Sequence, residues 1–336
     1  MVYKSVKGYT GAAQLGFLFV FLGLGFILAG IAQAIIAFQM VPAGTSFVSL
    51  PDALLVAMKD PKNVSYSRLM QFSGTFFLLF VPAVICSWIS NGKNKFWLGF
   101  NPYLNLYQVL LGFLIMFTAN IMASPLEDLT KAIVVHFPSF DATAKSLENT
   151  YNDQVVALSN LTSWPEFLMA LVIMAFLPAL FEEVFFRGLV QNLFVRWWKR
   201  PLIAIIVTSL LFSLIHGSIY LFLSRAVLGF ALGLLYFKTK NIWINVIAHF
   251  LNNAIALAQL FSMSNSKDKL DMSKLDPKID WWFALIAIGV LCFLFRFLSR
   301  YSVKNIFKIN AKEQLLVAET SSYPFAKNET NELGNQ

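Results

Sequence analysis

A run of forty-four residues, Gly8–Pro51, contains no Asp, Glu, Lys or Arg. Further uncharged stretches are Leu69–Gly92, Phe96–Leu126, Phe167–Phe181, Pro201–Ser224, Ala226–Phe237, Asn241–Ser266 and Trp281–Phe295. A helix needs about 20 apolar residues to cross a bilayer, and a soluble domain is usually near 25% charged. This chain of 336 residues is 57% hydrophobic and 13% charged. It therefore reads as an all-α polytopic membrane protein, with spans near 13–39, 70–90, 103–124, 166–198 (broken), 201–221, 223–237, 241–262 and 281–299. The first stretch is too long for a signal-peptide core and reads as an uncleaved anchor.

The net charge of +8 is a matter of topology. Eight spans put both termini on one side. The segments on that side carry 15 basic and 4 acidic residues, against 10 basic and 12 acidic on the other. The positive-inside rule then places both termini in the cytoplasm of an integral, plasma (inner) membrane protein. No nucleic-acid partner is implied. The two cysteines, Cys86 and Cys292, fall inside predicted spans, which argues for core packing and against a disulfide framework or a cysteine-based zinc site. Residues 40–69, 125–165 and 263–280 form the long outside segments, and "PDALLVAMKD" in the first is a candidate surface helix. Residues 301–318 read as a basic amphipathic helix on the inner leaflet, and the tail from Ser321 reads as disordered.

Ionisable groups are absent from the first three predicted spans and gather in the C-terminal half. "FEEVFFRG" places Glu182, Glu183 and Arg187 in apolar surroundings, where each charge costs roughly 2.5–3.5 kcal/mol on an insertion scale. Glu183 and Arg187 are i and i+4, where opposite charges meet on a helix, and they serve either as an ion pair or directly in catalysis. Glu182 is turned about 100° away and has no local partner. Pro178 predicts a kink just before the glutamates, and Gly188 permits close helix approach.

Two further polar marks follow, "FSLIHG" with Phe212 and His216 and "HFLNN" with His249 and Asn253. Glu183 lies 16 residues before Lys199 and His216 lies 16 after Arg200, so both sit about 24 Å from that turn. His249 and Asn253 are about 14 and 20 Å from Lys240. The four can share one level of the membrane. His136 in the outside segment is read as an ordinary surface residue, Arg225 as a snorkelling interface residue, Phe212 as packing beside His216, and "RWWKR" as an interfacial anchor.

At these residues the chain resembles the CPBP family of CAAX-type and bacteriocin-processing intramembrane proteases. "EEVFFR", "FSLIH" and "HFLNN" occur in the family's order on successive spans, and the likeness covers about 165–260. The resemblance implies a bundle of about eight transmembrane helices with an intramembrane polar cavity. It divides the chain into N-terminal helices and outside loops (1–164), a catalytic core (165–260), a loop and last helix (261–300) and a cytoplasmic tail (301–336). It implies an intramembrane endopeptidase that cleaves membrane-associated peptides or proteins in the lipid bilayer. Glu182, His216, His249 and Asn253 are the expected catalytic residues, with Glu183, Arg187 and Phe212 supporting them.

In the preferred reading Glu182 is the general base and His216 helps hold the water, while His249 and Asn253 stabilise the oxyanion. The cofactor is none or Zn2+. In the zinc version Glu182, His216 and His249 would be ligands, a His2Glu set. A proton-coupled transporter would also keep ionisable groups at the midplane, and a non-catalytic scaffold or immunity protein would bind partners in the same cavity.

Overall fold

The computed structural model describes residues 3–158, 161–264 and 279–320. Among these, ten helical runs carry the chain: α1 Gly11–Met40, α2 Leu50–Met58, α3 Pro61–Asn91, α4 Leu106–Val134, α5 Pro138–Leu158, α6 Trp164–Trp198, α7 Pro201–Leu214, α8 Phe222–Thr239, α9 Ile242–Ser264 and α10 Trp281–Thr320. Seven are long and apolar enough to cross a membrane, namely α1, α3, α4, α6, α8, α9 and α10. Most of the predicted loop 263–280 and the tail from Ser321 lie outside the described residues.

The eighth expected span, 201–221, is a shorter helix. α7 has 14 residues, about 21 Å of rise, and a seven-residue loop then leads to α8. Gly217 takes a left-handed turn there (φ 64°) and donates to the Leu214 carbonyl at 3.2 Å. Ser213 reaches across to the Phe222 carbonyl at 2.6 Å, which ties the two helix ends together.

Two other boundaries shift. α3 begins at Pro61, not near residue 70, so Arg68 lies inside a span and is almost wholly buried. It pairs with Glu166 at the start of α6 and donates to the Leu158 carbonyl at 3.3 Å. The first three spans are thus not free of charge; the aliphatic stem and a partner on another helix let the arginine extend the hydrophobic run. The last span and the expected surface helix 301–318 form one 40-residue helix, α10. Its distal half packs on protein, with Leu316 and Val317 buried against Val6 and Trp97. α2 is a surface helix without a buried residue, as its sequence implies. Cys86 is buried but Cys292 is exposed, so the core-packing expectation fails for the second cysteine.

α6 contains the proline at which a kink is expected. Pro178 has no N–H to give, and the chain takes up the slack as a π-helical stretch, Leu171–Phe176, just before it. A second π stretch, Val184–Gln191, begins directly after Glu183. Gly188 meets the loop before α4 closely, since a Cβ there would lie 2.7 Å from the Leu98 carbonyl oxygen.

Side-chain contacts sort the connections into two ends. At one, Lys7 donates its backbone N–H to Ser90 (3.1 Å), Arg196 pairs with Glu313 (2.8 Å) and Lys240 reaches Asn310 (2.8 Å). At the other, Lys131 meets Glu148 (3.6 Å), Lys145 meets Asp141 (2.6 Å) and Lys59 meets Asp153 (3.4 Å). These are the groups of segments that the charge count assigns to opposite sides.

Candidate active site

Glu183 is the anchor of the site. It is fully buried, and its Oε1 accepts from Arg187 Nη1 at 2.7 Å and from His249 Nδ1 at 2.9 Å. Its Oε2 accepts from Asn245 Nδ2 at 3.0 Å. Arg187 gives a second hydrogen bond to the Gly229 carbonyl of α8 at 3.1 Å and lies over the Phe212 ring, 4.6 Å from its centroid. One carboxylate thus joins α6, α9 and, through the arginine, α8. The i, i+4 spacing predicts the ion pair; the bond to His249 is a tertiary contact.

Glu182 faces another way, as the turn of the helix requires. Its Oε2 is buried without a hydrogen-bond partner and lies 3.9 Å from His216 Nε2 and 3.9 Å from His249 Nε2. Both imidazoles are held from behind. His216 donates Nδ1–H to the Phe212 carbonyl at 2.7 Å, and His249 donates to Glu183. Phe212 packs on both rings, with centroids 4.8 Å from His216 and 6.0 Å from His249. The side chains of Glu182 and His249 are about one-tenth exposed and that of His216 about one-quarter, so the cluster opens past His216. Asn253, one turn beyond His249 on α9, is half-buried, and its side chain makes no hydrogen bond among the described residues.

The convergence closes a gap that counting residues leaves. Measured from Lys240, His249 should lie about 10 Å shallower than Glu183, yet the two are hydrogen-bonded. The turn before α9 is itself buried. Thr239, Asn241 and Ile242 are inaccessible, and the segment 99–103 covers them through Ile242 N–H to Gly99 (2.9 Å) and Asn241 Nδ2 to Tyr103 (3.1 Å). α9 therefore starts below the surface from which its depth was counted.

Sequence reasoning passed over several participants. Asn245 is four residues before His249, and the pattern of Asn, His and Asn at 245, 249 and 253 is a stripe that periodicity could have revealed. Gln191 donates to the Gly233 carbonyl at 2.9 Å. Gly229 and Gly233 on α8 let α7 approach; a Cβ at either would lie 3.1 Å from Phe212 or 2.8 Å from Ile205. Arg225 stacks over Tyr151 of α5 (4.8 Å) and donates from Nη1 to the His216 carbonyl (3.4 Å), where α5 folds back over the loop after α7. Arg196 in "RWWKR" is committed to Glu313.

The donor types at the centre suit zinc, but their spacing does not. Adjacent ligands of a tetrahedral zinc with bonds of about 2.0–2.1 Å lie about 3.4 Å apart, and here the carboxylate–imidazole separations are 3.9 Å. Among the described residues no group of three or more His, Cys, Asp or Glu is arranged to hold a metal ion. A water about 2.8 Å from each atom spans 3.9 Å with ordinary hydrogen bonds.

A helical bundle with a carboxylate and two imidazoles gathered within its apolar span is an integral membrane protein with an enzyme-like interior. Residues 164–255 match the family model described as type II CAAX prenyl endopeptidase Rce1-like, so over this segment the chain is similar to that family of membrane proteases. No curated protein and no solved structure matches the chain.

Proposed function

We propose that the protein is a glutamate-dependent intramembrane endopeptidase that hydrolyses peptide bonds in membrane-associated substrates without a metal. The observation that carries this reading is the buried, unpartnered Oε2 of Glu182, 3.9 Å from two imidazole nitrogens. His216 gives its Nδ1–H to Phe212, so its Nε2 accepts. A water between the two donates one proton to Glu182 and the other to His216, which leaves its lone pair free to attack a scissile carbonyl. Glu182 takes the proton as the C–O bond forms and passes it to the leaving amine as the C–N bond breaks.

His249 and Asn253 stabilise the oxyanion. Glu183 holds His249 by Nδ1, which turns Nε2 toward the site, and the Asn253 amide has N–H donors to offer there. The basic end of the bundle faces the cytoplasm, with both termini.

The test uses purified protein and a membrane-peptide library. Wild type is expected to cleave, Glu182→Gln to lose at least 100-fold in kcat, and chelator treatment to leave wild-type activity unchanged. Equal cleavage by wild type and variant rejects the base assignment. Stoichiometric bound zinc, with activity lost on its removal and restored on its return, rejects the metal-free mechanism, and no cleavage by either protein favours transport or scaffolding.

A further inference from the structure

We infer that Asn245 is a positioning residue for His249, acting through Glu183. This deepens the protease reading and rests on it for the catalytic consequence, though not for the geometry. Asn245 is inaccessible to solvent, and its Nδ2 gives one N–H to Glu183 Oε2 at 3.0 Å and the other to the Leu232 carbonyl of α8 at 2.8 Å. Both neighbours are acceptors only, which sets the orientation of the amide, since the reverse would turn its oxygen toward two oxygens. Its Oδ1 is left buried and unpartnered. A carboxamide that leaves its own oxygen unpaired is there for its two donors.

The consequence follows from how Glu183 is held. Oε1 takes Arg187 and His249, and only Asn245 holds Oε2 among the described residues. Without that third donor the carboxylate is free to turn toward Arg187, whose Nε is also buried without a partner. The 2.9 Å bond that keeps His249 Nδ1–H turned away from Glu182 would then weaken, and Nε2 would no longer be held toward the reacting atoms. Asn245 also ties this anchor to the backbone of α8, the helix that receives Arg187 at Gly229. The carboxylate is thus clamped from α6 by the arginine and from α9 by the amide, with both clamps resting on α8.

The chain has three histidines, His136, His216 and His249, so protein labelled with 15N-histidine gives three ring systems that single substitutions assign. In the wild type His249 is expected to show a downfield, slowly exchanging Nδ1–H signal. Asn245→Leu keeps the side-chain volume and removes both donors; Asn245→Asp keeps the shape and turns donors into acceptors. Each is expected to broaden or lose that signal, and to lower kcat roughly 10–100-fold with KM within about twofold, at a melting temperature that shows a folded protein.

If a folded variant keeps the His249 signal, or keeps wild-type kcat while Glu182→Gln is inactive, the positioning role is wrong. If Glu182→Gln is as active as wild type, the protease mechanism fails, and the histidine signal still decides the role of Asn245.

Discussion

Glu183 and Arg187 show how the contact of a pair can be legible in sequence while its role stays open. The i, i+4 spacing predicts their contact, and the two are joined at 2.7 Å. Spacing left open whether Glu183 also reacts. The structure commits both its oxygens to Arg187, His249 and Asn245 and leaves Glu182 as the carboxylate with a free buried oxygen. Removing one partner of a buried pair costs about 3–5 kcal/mol. Arg187→Gln is therefore expected to lower stability by about that amount in a denaturation titration in detergent. Glu183→Gln added to it should recover part of the loss, because no uncompensated charge then stays buried. The double variant should stay inactive, since His249 has lost its anchor.

At the scale of elements, α5 is the part of the molecule that its own sequence describes least. Its acidic, polar stretch reads as an outside segment, yet it folds back as a helix over the loop that carries His216. Tyr220 in that loop donates to Asp141 at 2.5 Å, and Lys145 pairs with the same carboxylate. Lys145 and then Tyr220 hold the Asp141 carboxyl below its usual range, and the same bond pushes the Tyr220 phenol up to about 12. A depressed carboxylate pKa contributes stability above its ordinary value near 3.9, and that contribution is lost as pH falls through the lower folded value. Hydrogen exchange over 138–158 should stay slow from neutral pH to about 4 and quicken below it, and Tyr220→Phe should quicken it at neutral pH. Exchange in the wild type that quickens between pH 7 and 5 would show that another group holds α5 down.

Over the whole molecule, the long α10 ties together segments that are far apart in the chain at one end of the bundle. It packs along α4, and just past its midpoint Gln108 donates to Ser302 at 2.9 Å and accepts from Asn305 at 2.8 Å. Its second half gathers the amino terminus, the segment before α4 and the end of α6 through Leu316, Val317 and Glu313. Cutting the chain after Ser302 exposes the surface that Leu316 and Val317 cover, at about 1.5–3 kcal/mol for each buried side chain. A lower melting temperature in detergent is expected, together with faster proteolysis near residues 3–10. An unchanged melting temperature would mean that the distal half of α10 is only an appendage.

Hydropathy and charge by themselves determined that this chain is a helical membrane protein, which connections share a side, and where Glu182, His216 and His249 interrupt the apolar runs. Each of these is a local property: a run of apolar side chains has to leave water, and a charge inside the run has to be compensated. Arg68, Asn245 and the buried turn at 239–242 were not legible because burial depends on what other segments place around a residue. Only the tertiary structure could decide that Glu182 faces two imidazoles while Glu183 is enclosed. Adjacent residues on a helix point about 100° apart, and their different surroundings come from helices far away in the chain.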